Sequence, residues 1–122
     1  MRLLLDTHIF LWIYSDSMKL SPEARRQLSQ AESLYVSSAS IWEISIKAAW
    51  GKVDIDLPKL MGQARQDDIW ELPVKWEHAA AVKKLENHHR DTFDRILMAQ
   101  AQTEPFMKLL TQDEIFRVYK SK

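Results

Sequence analysis

The sequence predicts an α/β layer fold built on a mainly parallel sheet. Short apolar runs that stop abruptly at polar residues recur along the chain, and segments bearing helix-start and helix-stop residues lie between them. Strands separated in this way by helices cannot pair as simple hairpins, so parallel pairing with right-handed crossovers follows.

The elements can be justified in order. Residues 2–5 form an apolar run short enough for a fully buried strand, ended by Asp6-Thr7-His8. Residues 9–14 read as a helix. Ser21-Pro22-Glu23 is a helix start, with Ser21 as N-cap and Pro22 at the first helical position, and that helix runs to about Ala31. Leu34-Tyr35-Val36 reads as a second buried strand. A helix follows over 40–50, with Gly51 placed to terminate it. Pro58 opens another helix that fades near Asp67-Asp68. Residues 70–74 form a short strand that Pro73 confines to an edge or an end. Helices are expected over 76–85 and 92–102, a strand over 108–111, and a last strand over 116–119. There are two glycines, Gly51 and Gly62, and no linker, repeat or low-complexity segment, so one domain over 1–122 is expected.

Composition narrows the function. A chain of 122 residues buries roughly two thirds of its unfolded surface, enough for a core without staples. Cysteine is absent, which excludes disulfides and thiolate metal sites and suits a reducing cytoplasm. The apolar start is too short for a signal peptide, and no stretch approaches the ~20 apolar residues of a membrane span, so a soluble, cytoplasmic protein is expected. Lysine plus arginine equal aspartate plus glutamate at 17 each, which argues against long-range capture of nucleic acid but leaves room for a nuclease.

Four carboxylates fall where an open parallel sheet binds ligands, beyond the carboxyl ends of its strands. Asp6 follows the first strand. Glu43 lies in the first turn of the helix after the second strand. Asp94 lies in the first turn of the helix leading into the 108–111 strand, and Asp113 follows that strand. Like charges gathered on one rim are tolerable when a divalent cation neutralises them. Oxygen ligands without thiolates favour Mg²⁺ or Mn²⁺ over zinc, and such a metal suits phosphodiester hydrolysis.

Each acid also has a structural reading. Ser40-x-x-Glu43 matches a capping box, and Glu43 can pair with Lys47 one turn on. Asp91 reads as an N-cap with Asp94 favoured by the helix dipole. Asp113 can cap a turn. Asp6, abutting a buried strand, needs a partner in any case. The joint topology, rather than any one acid, points to a site. The histidines, with His88 and His89 adjacent and His8 and His78 isolated, read as structural or surface residues. The five tryptophans read mostly as core, with Trp42 and Trp50 the candidates for a subunit interface. Arg25-Arg26 and Lys83-Lys84 read as solvated faces.

These segments resemble the motifs of PIN-domain proteins, and most closely the VapC-type toxins of bacterial toxin–antitoxin pairs. The residues concerned are Leu3-Leu4-Leu5-Asp6-Thr7-His8 through Leu11-Trp12, then Ser37-Ser38-Ala39-Ser40-Ile41-Trp42-Glu43-Ile44. The third motif is His89-Arg90-Asp91-Thr92-Phe93-Asp94-Arg95-Ile96-Leu97 with Ala99-Gln100-Ala101, and the fourth is Leu110-Thr111-Gln112-Asp113. Together they cover nearly the whole chain in the right order. One departure is Thr92, where proline often stands; proline would preset the helix start, and its loss removes no carboxylate.

The resemblance implies a three-layer α/β/α sandwich and Mg²⁺-dependent endonucleolytic cleavage of RNA, frequently tRNA or rRNA. It also implies a homodimer and inhibition by a cognate antitoxin. By position it assigns Asp6, Glu43, Asp94 and Asp113 to the metal and its water, with Thr111 in support and Asp91 as a helix cap. Arg90, Arg95 and Lys47 are the nearest candidates for phosphate contacts. The competing readings are a DNA-directed nuclease of the same fold and a non-catalytic binding module. A haloacid-dehalogenase-type phosphatase would need a second acid two residues after Asp6, where this chain has His8.

Overall fold

A computed structural model of the chain describes residues 1–85 and 91–112. Strand β1 (Arg2–Leu5) leads into helix α1 (Thr7–Ser15), a 3-10 turn (Ser17–Lys19) and helix α2 (Pro22–Gln30). Strand β2 (Ser33–Ser37) is followed by α3 (Ser38–Ala49) and α4 (Leu57–Gln66), then strand β3 (Ile69–Leu72). Helix α5 (Trp76–Ala81) passes into a 3-10 turn (Val82–Lys84), and α6 (Thr92–Thr103) precedes strand β4 (Met107–Leu110). Arg90, His88, His89, Asp113 and the strand expected over 116–119 lie outside the described residues.

The four strands order as β3-β2-β1-β4, and every neighbouring pair is parallel. Leu4 of β1 stands opposite Tyr35 on one side and Leu109 on the other. Successive residues of β1 face opposite layers, which is why all of its leucines are apolar. Leu3 and Leu5 pack with Ile9 and Phe10 of α1, Ala24 of α2, Ile44 of α3 and Leu60 and Ala64 of α4. Leu4 packs on the other face with Leu97, Met98 and Ala99 of α6 and with Leu72 and Leu109. The result is the expected three layers, with α1–α4 on one face and α5–α6 on the other. Leu4 is fully buried, and truncating it to alanine would cost about 2–5 kcal/mol through lost burial and the cavity left behind.

Local chemistry explains the boundaries. Ser21 Oγ accepts from Ala24 N at 3.1 Å, with Pro22 at the first helical position as expected. Helix α3 ends in a Schellman motif: Lys52 N donates to Lys47 O at 2.9 Å and Gly51 N to Ala48 O at 3.0 Å. This requires the left-handed backbone that Gly51 adopts, φ 74°. β3 is indeed an edge strand, and Pro73 follows its last residue. Two helices begin earlier than expected because their true caps lie upstream. Asp6 caps α1, and Ser37 caps α3 by accepting from Ala39 N at 3.0 Å. Glu43 therefore sits in the second turn of α3, not the first, and the Ser40–Glu43 capping box does not form.

The tryptophans depart most from expectation. Trp42, Trp50, Trp70 and Trp76 are exposed, at 58% or more, and only Trp12 packs against the core. Leucine, isoleucine and alanine already fill the two narrow spaces beside a sheet of four short strands. The indoles at 42 and 76 fall on outward helix positions, and Trp50 is the exposed C-cap of α3.

Candidate active site

Doubly wound sheets bind ligands where the strand order reverses. Here the chain steps from β1 to β2 to β3 in one direction and then places β4 on the far side of β1. The reversal falls between β1 and β4. Asp6 leaves β1 at that point and Thr111 leaves β4, and each is 4% exposed. Asp6 N donates to Leu110 O at 3.1 Å, which carries the ladder up to this acid. Its Oδ1 accepts from Ile9 N at 2.7 Å, so the carboxylate is fixed at a helix N-terminus, where the dipole favours negative charge.

The next residue ties β1 to the neighbouring strand's helix. Thr7 Oγ1 lies 2.8 Å from Glu43 Oε1 and 2.9 Å from Ser40 Oγ, all in buried surroundings. A hydroxyl has one proton, so Thr7 donates to the carboxylate and accepts from Ser40. Glu43 Oε2 accepts from Lys47 Nζ at 2.9 Å. A carboxylate only 6% exposed is thus held by one neutral and one charged donor. Lys47, also a candidate phosphate contact, makes here the pair with Glu43 that their spacing suggests.

Asp94 lies in the first turn of α6 as expected. Asp91 is the N-cap, its Oδ1 accepting from Asp94 N at 3.0 Å. The helix starts at Thr92 without help from proline. The early turns of α3 and α6 meet through Trp42 and Phe93, whose rings cross edge-to-face at 5.1 Å. Arg95 donates to Val82 O at 3.3 Å, so this cation too has a structural partner. Among the described residues, no three of His, Cys, Asp and Glu cluster as metal ligands would. The donors themselves, carboxylates without thiolates, match a hard cation in kind.

Asp6, His8, Trp12 and Gln112 line a cleft of about 280 Å³. Gln112 is pinned at both ends of its amide: Oε1 accepts from Ser21 N at 2.8 Å and Nε2 donates to Lys19 O at 3.2 Å. Thr7, Ser40 and Gln112, which the sequence does not single out as site residues, supply the contacts around these acids and the wall of the cleft. The Ser40–Glu43 spacing that suggests a capping box equally puts both side chains on one helix face, and that was the available signal. His78 is structural, as expected. Its Nδ1 accepts from Lys75 N at 3.0 Å, and its Nε2 lies 2.8 Å from Glu104 Oε2.

Fold and site define a class: three-layer α/β proteins with a parallel sheet and a buried acid, Asp6, at the carboxyl end of a central strand. Within that class the chain belongs to the PIN domain family, which it matches over residues 3–122. The family has a nuclease fold, and its members are generally metal-dependent nucleases that act on nucleic acid. No individual curated protein matches the chain.

Proposed function

We propose that this chain is an Mg²⁺-dependent endoribonuclease, able to use Mn²⁺, and the toxin of a VapC-type toxin–antitoxin pair. The observation that carries the nuclease reading is the junction of Asp6, Thr7 and Glu43 at the reversal of strand order. It draws acids from two separate motifs to one edge of the sheet.

In this reading Asp6, Glu43, Asp94 and Asp113 hold the cation, and Thr111 supports the neighbouring acids. A divalent cation in this place would polarise a phosphoryl oxygen and lower the pKa of bound water. Thr7 keeps Glu43 oriented toward the edge where Asp6 stands. Lys47 neutralises Glu43 when no cation is bound and is displaced, or shifts outward, when one is. RNA, with tRNA or rRNA as the favoured class, is the substrate. The test is incubation of purified protein with structured RNA and with DNA of matched sequence. Chelation should abolish RNA cleavage and Mg²⁺ or Mn²⁺ restore it; full activity in excess chelator refutes the mechanism.

The partners follow from the same reading. An antitoxin would insert arginine or lysine among the carboxylates, with arginine able to bond two oxygens at once. Exposed Trp42 and Trp50 support a homodimer. Among the described residues no helix is long and apolar enough to cross a membrane, and a cytoplasmic location is part of the proposal. Co-purification with the product of the adjacent gene, followed by cleavage assays on the complex, tests the antitoxin. Mass in solution at micromolar concentration tests the dimer.

A further inference from the structure

We propose that His8 and Trp12 form a stacking platform for an unpaired nucleobase next to the bond to be cut. The two residues stand one turn apart on α1, and their rings are stacked, with centroids 5.8 Å apart and planes inclined by 20°. His8 is exposed, and Trp12 is partly buried against the core, so one ring is anchored and the other is presented to solvent.

The cleft they line is continuous with the proposed reaction centre, because Asp6 lines it too. Gln112, clamped between Lys19 O and Ser21 N, forms a fixed wall. A volume of about 280 Å³ admits a single planar group rather than a helix or strand of a partner protein.

Charge favours the same occupant. The chain carries equal numbers of acidic and basic residues, and among the described residues the lining of this cleft includes Asp6 but no lysine or arginine. Phosphate attraction therefore contributes little grip here, and a strand would be held beside Asp6 through the faces of its bases. Every base has such a face, so stacking tolerates any sequence while requiring that the base be free of its own duplex.

This inference rests on the nuclease reading but is tested without turnover. A fluorescein-labelled single-stranded RNA is titrated with the intact protein in excess chelator, and binding is followed by anisotropy. His8→Ala and Trp12→Ala should each weaken binding by about tenfold, the range expected for one stacked base. Trp12→Phe should retain most of it, and Trp76→Ala, at an exposed indole on α5, should change nothing. Circular dichroism verifies folding; should Trp12→Ala fail to fold, exposed His8 and the Trp12→Phe variant still decide. A duplex of the same sequence should bind at least tenfold more weakly. Unchanged affinity in folded His8→Ala, equal affinity for duplex, or no measurable binding by the unaltered chain overturns the proposal. Loss of binding in the variants with no metal-dependent cleavage by any form would keep the platform and refute the nuclease.

Discussion

Replacing Thr7 with valine removes the single hydroxyl that joins Glu43 to Ser40 while preserving the shape of the side chain. In the folded protein Thr7 is 6% exposed, Glu43 6% and Ser40 0%, so water cannot freely replace the lost partner. The bond to the carboxylate is charge-assisted, worth about 1.5–3 kcal/mol, and the contact with Ser40 adds about 0.5–1.5 kcal/mol. Lys47 stays on Glu43 Oε2 at 2.9 Å and keeps the charge paired, which favours the lower part of that range. A loss of about 2–3 kcal/mol would lower the urea midpoint by roughly 1–2 M for a small domain. Thr7→Ser keeps the hydroxyl and loses one buried methyl, a cost of about 1 kcal/mol. Urea unfolding followed by tryptophan fluorescence and circular dichroism measures both, and RNA cleavage measured below the transition should fall sharply in Thr7→Val only. A Thr7→Val midpoint equal to that of the unaltered chain, or equal damage from serine and valine, would refute the reasoning.

Asp6→Asn keeps an N-cap of comparable strength, so the fold should survive by circular dichroism while cleavage falls by orders of magnitude. Asp94→Asn should act likewise, whereas Asp91→Asn, which retains the cap on Asp94 N, should act much less; the reverse order would reassign the third motif. The hydrogen bond from His78 holds the Glu104 carboxyl below its ordinary value, helped by the charges of Lys75 and Arg2. A depressed carboxylate stabilises the fold above the unfolded-state pKa, and that contribution is lost as pH falls through the folded-state value. Glu104→Gln should therefore be less stable by about 1–2 kcal/mol near pH 7, with the difference vanishing in acid; an equal difference at both pH values would contradict this. Gly62 lies exposed within α4 with open space where a Cβ would stand, so Gly62→Ala should stabilise by about 0.5–1 kcal/mol. Gly51→Ala, with equally open space but φ 74°, should instead cost about 1–2 kcal/mol. Thermal melts of the two variants should move in opposite directions.

The alternation of strands and helices was legible because it follows from spacing, whereas the three-layer arrangement was implied by the family resemblance. Three-leucine β1, the caps Ser21 and Asp91, the terminator Gly51 and the edge-strand Pro73 each act within a few residues of their own position, where pattern and chemistry coincide. The starts of α1 and α3 were less legible, because Asp6 and Ser37 each end a strand and cap a helix at once. The tryptophans misled because indole is apolar by composition, while its placement depends on how much space the aliphatic side chains leave. Asp6 and Glu43 could be marked as rim acids from chain direction alone. The link between them through Thr7 could not, since a contact between residues 7 and 43 depends on how α3 packs against α1. The bond from Arg95 to the Val82 carbonyl likewise depends on tertiary packing, whereas the Glu43–Lys47 pair follows from a spacing of one helical turn.

The central claim is that acids around the reversal between β1 and β4 form a site for a divalent cation. Electron paramagnetic resonance of Mn²⁺ titrated into the intact protein tests it without any substrate, since bound Mn²⁺ loses the signal of the free ion. The unaltered chain should take up Mn²⁺, and Asp6→Asn, with its fold intact, should bind at least about tenfold more weakly, because a hard cation loses a charged oxygen ligand. Mg²⁺ should compete for the same site. Equal Mn²⁺ uptake by the unaltered chain and Asp6→Asn, or none by either, would contradict the account.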